Sequence, residues 1–184
     1  MAFAEITLTR AEQRLAAYLA KARYQSNRAS GVRDQLRSTR DPVKMEAEAT
    51  GAELAFCCSM NLYPDLSVSP RKGGYDCRTA KGHRMDVKWV ARPTDHLLAV
   101  LGKRQEREVD AFVLVRGHSP VYDIVGWVPF RQLIHRSKIR NFGYGATYAM
   151  ASRDLYPMET LGCWDGDQEF GWPRHPVIGT TLDD

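Results

Sequence analysis

Between residues 61 and 85 the apolar residues change their spacing, from the helical period of about 3.6 to the strand period of about 2. Before the change, Asp41-Pro42 reads as a helix cap followed by proline at the first helical position. Over residues 43–61 the one breaker is Gly51. Thr50, Leu54, Cys57 and Asn61 fall along one line there, and Tyr63-Pro64-Asp65 ends the helix. After the change, Met85, Val87 and Trp89 alternate with Asp86, Lys88 and Val90, as in a strand with one face in a core. Lys81-Gly82 marks a hairpin turn before it, and residues 97–101, 109–115 and 122–128 read as three more strands. The segment 102–108, charged and containing glycine, is a turn.

Helices flank this run of strands. Thr9-Arg10-Ala11-Glu12 forms a capping box, and Leu15, Leu19 and Ala22 follow at helical spacing. Residues 24–40 are polar and interrupted by Ser30-Gly31: a helix end, a loop or a second weak helix. Pro129 opens a last helix over about 130–138. From residue 141 onward the chain is rich in Gly, aromatics and Pro and shows no clear element. The order predicts an α/β (α+β) fold around a mixed or mainly antiparallel sheet.

Composition narrows the class. With 43% apolar and 26% charged residues the chain can build a core, which argues against wholesale disorder. Its uncharged apolar runs are far too short to cross a bilayer, and residues 1–14 carry Glu5, Arg10, Glu12 and Arg14 in place of a secretory apolar core. Cys57, Cys58, Cys77 and Cys163 have no C-x-x-C spacing. The expectation is a cytoplasmic, reduced protein without a membrane segment. Charge is unevenly placed: residues 1–45 hold nine Lys/Arg against four Asp/Glu, whereas residues 154–184 hold one against seven. A basic body with an acidic tail suits a polyanion. The expected organisation is a basic helical extension over 1–40, a core over 41–160 and an acidic tail over 161–184, packed on the core or partly disordered. In the extension, Arg10, Arg14, Lys21, Arg23, Arg28, Arg33, Arg37 and Arg40 either clasp a nucleic acid, build a dimer or face outward from a surface helix; the last is favoured. Trp164 and Trp172 either pin the tail or stack on bases, and pinning is favoured.

Acids stand where a bland core would not place them. Asp86 and Lys88, at i and i+2 on a strand, share one face, while Val87 points the other way. A two-residue turn would put Asp76 opposite Val87. A three-residue turn, Lys81-Gly82-His83, would pair Arg78 with Asp86 and Asp76 with Lys88, gathering the charges on one face. The second register is expected because it collects the charges. Glu53 borders the apolar face of the preceding helix, with Glu46 as a competitor on the same face and Glu48 beside it. Converging carboxylates repel unless a cation neutralises them, and oxygen-only ligands suit a hard ion such as Mg²⁺ or Mn²⁺. A lysine beside such an ion can polarise water and stabilise charge developing at phosphorus. An isolated D-x-K pair is by itself an ordinary strand-face ion pair.

Asp76, nine intervening residues, Asp86-Val87-Lys88, and a preceding helix carrying Gly51-Ala52-Glu53-Leu54-Ala55 resemble the PD-(D/E)xK nuclease superfamily, particularly its small phage and bacterial members. The resemblance covers about residues 41–138, with Tyr75 in place of the proline and Asp86 at the D/E position. It implies a restriction-endonuclease-like core of order α-β-β-β-α-β. It implies Asp76, Asp86 and the Val87 carbonyl as ligands of Mg²⁺ (Mn²⁺ substituting), Glu53 as the helix glutamate and Lys88 as the catalytic lysine. The expected activity is hydrolysis of DNA by an endonuclease or structure-specific enzyme; the alternative is a catalytically silent nucleic-acid-binding module on the same fold. Lys81, His83 and Arg84 at the hairpin, and Arg131, His135 and Lys138 along the last helix, are candidate contacts to the DNA backbone. A two-fold dimer would place one site on each strand.

Overall fold

The computed structural model describes residues 4–31, 41–70, 74–91, 96–101, 108–143 and 145–166. Arg33, Arg37 and Arg40, most of the 102–108 turn, Trp172 and the tail beyond Gly166 lie outside the described residues. The chain opens with strand β1 (Ala4–Thr7) and helix α1 (Arg10–Ala29). The capping box forms: the Thr9 hydroxyl accepts from the Glu12 amide while the Thr9 amide donates to the Glu12 carboxylate. Helix α2 (Pro42–Met60) starts on the Asp41 carboxylate, which accepts from the Val43 and Lys44 amides. It ends at Asn61 in the left-handed conformation. Strands β2 (Cys77–Arg78), β3 (Arg84–Val90), β4 (His96–Val100), β5 (Ala111–His118) and β6 (Val121–Pro129) follow. A single helical turn, α3 (Phe130–Leu133), and strands β7 (Ile139–Asn141) and β8 (Ala146–Ala151) close the body.

The strands make two sheets. The larger runs β1-β6-β5-β3-β2, with β3 and β5 parallel and its other neighbours antiparallel; the smaller runs β4-β8-β7. Strand β5 lies inside the larger sheet and is buried on both faces, as its unbroken apolar run requires. Ala111, Val113 and Val115 meet α2 and the first core cluster, while Phe112 and Leu114 meet the second cluster with Leu97, Leu133 and Met150. Thr50 to Cys57 of α2 are all buried, so this helix is sandwiched rather than amphipathic. Gly51 permits that depth: a Cβ there would lie 2.2 Å from the Tyr122 hydroxyl. The segment after β8 folds back on β6, where Trp127 pairs with Tyr156 and donates to the Pro157 carbonyl.

The mixed α+β class stands, and the four strands expected over 85–128 all form. Three expectations need correction. Where the family resemblance implies three strands between the two helices, five lie between α2 and α3, as the strand patterns themselves suggest. The last helix stops after one turn instead of reaching residue 138. Ile134 leaves the helical region at ψ 64°, and His135 is extended, with its ring nitrogen accepting from the Ser137 amide. That local bond caps a 3-10 turn over Arg136–Lys138 and replaces the helix. Arg131, His135 and Lys138 therefore do not share a helical face. Finally, Arg23 does not point outward; it is 3% exposed.

Candidate active site

The site is built on the hairpin joining β2 to β3, at the edge of the larger sheet. Its turn spans five residues. The Thr79 amide donates to the His83 carbonyl, the Thr79 hydroxyl accepts from the His83 amide, and Gly82 sits at φ 88°. The ladder pairs Cys77 with Met85 and Arg78 with Arg84, two residues away from the expected register, so Arg78 does not face Asp86. The shift arises because the Thr79 side chain closes the longer turn. At the open end of the hairpin the Asp76 amide donates to the Met85 carbonyl, and the Asp76 carboxylate accepts from the Val87 amide at 2.7 Å. A side chain thus continues the ladder where the backbone of β2 departs. Asp76 is 8% exposed and Asp86 1%.

Asp86 and Lys88 do share a face. Lys88 Nζ lies 2.5 Å from Asp86 Oδ1 and 5.8 Å from the centre of the Phe112 ring. The Asp86 side chain is 2% exposed and that of Lys88 26%, so the ammonium bridges a buried carboxylate to solvent.

Glu53 is buried on α2, but its partner is a residue that the sequence did not single out for the site. Arg23 Nη1 donates to Glu53 Oε2 at 2.9 Å. The same guanidinium reaches the Thr50 hydroxyl and the carbonyls of Asp65 and Ser67. One cation therefore ties α1, α2 and the 65–67 loop together. Nothing in the spacing of Arg23 from Glu53 announces the pair. The Cys77 thiol is buried directly after Asp76 in the chain. Its pKa is pushed well up, first by a thiol–thiol hydrogen bond to Cys57, then by burial, and further by the charges of Cys57, Asp76 and Glu53. Glu48, in contrast, accepts from the Ser119 amide and the Tyr122 hydroxyl and fixes the β5–β6 turn. Glu46 is half-buried.

The carboxylate-only chemistry of Asp76, Asp86 and Glu53 fits a hard divalent cation. Among the described residues, however, no group of three or more His, Cys, Asp or Glu side chains is placed to hold one. In this arrangement Glu53 leans on Arg23 and Asp86 on Lys88.

The hairpin cations expected to meet DNA have partners within the chain. Lys81 Nζ lies 2.6 Å from Asp165 Oδ1. The His83 ring packs 4.4 Å from the Trp164 ring, with Nε2 3.1 Å from the Trp164 carbonyl. Arg84 grips Asp110 through Nε and Nη2, and its amide donates to the same carboxylate. Those bonds hold the Asp110 carboxyl below its ordinary value. Trp164 is 2% exposed and packs on Trp127, so it pins the segment to the body as expected. Arg131 and His135 are exposed and Lys138 is half-buried.

A cleft of 690 Å³ opens beside Asp76, between the 63–67 loop and residues 74–78. Tyr63, Tyr75 and Arg78 line it, and none of the three is among the site residues expected from the sequence. Tyr63 and Tyr75 stand in short loop segments without a period, which leaves no signal to find them. No protein-family model matches the chain, and no curated protein is significantly similar to it. No described helix is long and apolar enough to cross a membrane.

Proposed function

We propose that the chain is a metal-dependent deoxyribonuclease of the PD-(D/E)xK type that hydrolyses phosphodiester bonds as an endonuclease or structure-specific enzyme. The observation that carries this reading is the hairpin itself. Two buried carboxylates, one immediately before β2 and one on β3, sit at a sheet edge, one holding the Val87 amide and the other the Lys88 ammonium. Asp76, Asp86 and the Val87 carbonyl would hold Mg²⁺, or Mn²⁺ in its place, with Glu53 assisting. The ion would supply a lowered water pKa and charge neutralisation at phosphorus. Lys88, the partly exposed member of its pair, orients the water that attacks phosphorus as the bond to the leaving oxygen breaks.

The pairing of Glu53 with Arg23, and the lack of a described three-acid group, favour a second reading: a silent nucleic-acid-binding module on the same scaffold. Digestion of supercoiled plasmid, linear duplex and single strand in Mg²⁺, Mn²⁺ and EDTA separates the two. Cleavage that needs the metal and disappears in Asp86→Ala and Lys88→Ala supports the nuclease. Folded wild-type protein that is as inert as the variants on every substrate, yet retards DNA in a gel, supports the module.

A further inference from the structure

The cleft beside Asp76 has the chemistry of a site for unpaired nucleotides. Its volume, 690 Å³, lies within the range of about 300–1,000 Å³ typical of ligand clefts. At its rim the Tyr63 ring is 78% exposed and makes no hydrogen bond among the described residues. An aromatic face held open at a cleft mouth is a platform for a base. Arg78 lines the same cleft and is fixed in place. Its Nε donates to the Tyr75 hydroxyl at 2.8 Å, and the guanidinium lies 4.7 Å from the centre of the Tyr75 ring. That grip leaves the Nη1 and Nη2 fork without a hydrogen bond to any described residue, a geometry matched to a phosphate. The Asp65 carboxylate, exposed in the same lining, accepts from the Ser67 amide and hydroxyl. Asp65 and Asp76 thus give the cleft two carboxylates beside the one guanidinium of Arg78.

We propose that this cleft holds an unpaired strand of nucleic acid, with a base on the Tyr63 ring and a phosphate on Arg78, delivering the adjoining phosphodiester to Asp76. A duplex is a poor occupant, because base faces inside a stack are not available to an aromatic platform. The proposal rests on the nuclease reading for what happens next, but the binding it describes stands apart from cleavage. Because Asp65 and Asp76 repel a bare phosphate, binding is measured with Ca²⁺ present.

The test is fluorescence anisotropy of a labelled oligonucleotide and its duplex with wild type, Tyr63→Ala, Tyr63→Phe and Asp86→Ala, alongside cleavage of the same oligonucleotide in Mg²⁺. Wild type is expected to bind the single strand about tenfold more tightly than the duplex. Tyr63→Ala is expected to lose about tenfold on the single strand, while Tyr63→Phe retains the wild-type affinity. Tyr63→Ala binding as wild type does, wild type preferring the duplex, or wild type binding neither would each overturn the cleft proposal. The expected binding pattern without any cleavage keeps the cleft and removes the nuclease reading. Cleavage that Asp86→Ala abolishes, with no effect of Tyr63→Ala on binding, removes the cleft and keeps the nuclease.

Discussion

Among the described residues two buried carboxylates hold cations in opposite ways. Glu53 takes Arg23 from another helix, and both side chains are sealed, at 7% and 4% exposure. Asp86 takes Lys88 from its own strand, and the lysine side chain remains 26% exposed. The guanidinium of the first pair also satisfies two loop carbonyls and cannot leave without orphaning them. The ammonium of the second pair meets solvent and an aromatic face. The comparison teaches a division of labour. A sealed pair with many partners holds elements together, whereas a pair with one member reaching water can exchange that partner for a ligand.

Changes to the sealed pair are expected to have the largest effect on folding. Arg23→Met strands the Glu53 charge and the loop carbonyls, with an expected cost of about 3–5 kcal/mol in urea unfolding. Adding Glu53→Leu to Arg23→Met is expected to recover part of that loss, because an apolar pair carries no buried charge. A smaller loss, about 1.5–3 kcal/mol, is expected for Lys88→Ala: it also leaves a buried carboxylate, but water can enter where the partly exposed ammonium stood. Should Lys88→Ala cost as much as Arg23→Met, the hairpin pair is structural and the contrast fails.

Arg84 and Asp110 supply an intermediate case beside the hairpin turn. The Asp110 pKa is depressed in the folded state by its hydrogen bonds to Arg84. Its stabilisation is therefore complete above the ordinary aspartate value of about 4 and is lost as pH falls through the lower folded value. The stability gap between wild type and Arg84→Gln is expected to close below about pH 4, and acid titration of unfolding checks this. A constant gap down to the acid limit would mean that Arg84 acts by packing alone. The smallest effect belongs to Lys81 and Asp165, whose side chains are 45% and 62% exposed. Asp165→Asn is expected to leave the melting temperature unchanged, as exposed pairs generally do.

The same contrast explains what was legible in the sequence. Asp86 and Lys88 are two residues apart on a strand, so alternation alone places them together. The capping box at Thr9, the Asp41-Pro42 start of α2 and the four strands over 85–128 were legible for the same reason: each is a local pattern. Arg23 and Glu53 meet only after two helices pack, and no spacing encodes that. The hairpin register was missed by two residues because a side-chain bond from Thr79 set the turn length. Strand β8 escaped notice because Ala146, Ala149 and Ala151 carry little strand preference. Strand β1 is four residues long and is made by pairing with β6, not by its own pattern. The final helix was over-read because His135 and Ser137 offered the backbone a local alternative.

The most direct test of the account is Mn²⁺ binding followed by electron paramagnetic resonance on wild type, Asp76→Asn, Asp86→Asn and Glu53→Gln. A protein-bound Mn²⁺ signal is expected in wild type, lost in Asp76→Asn and Asp86→Asn and weakened in Glu53→Gln. A signal equal in all four proteins, or absent from folded wild type, would contradict a metal centre on the hairpin.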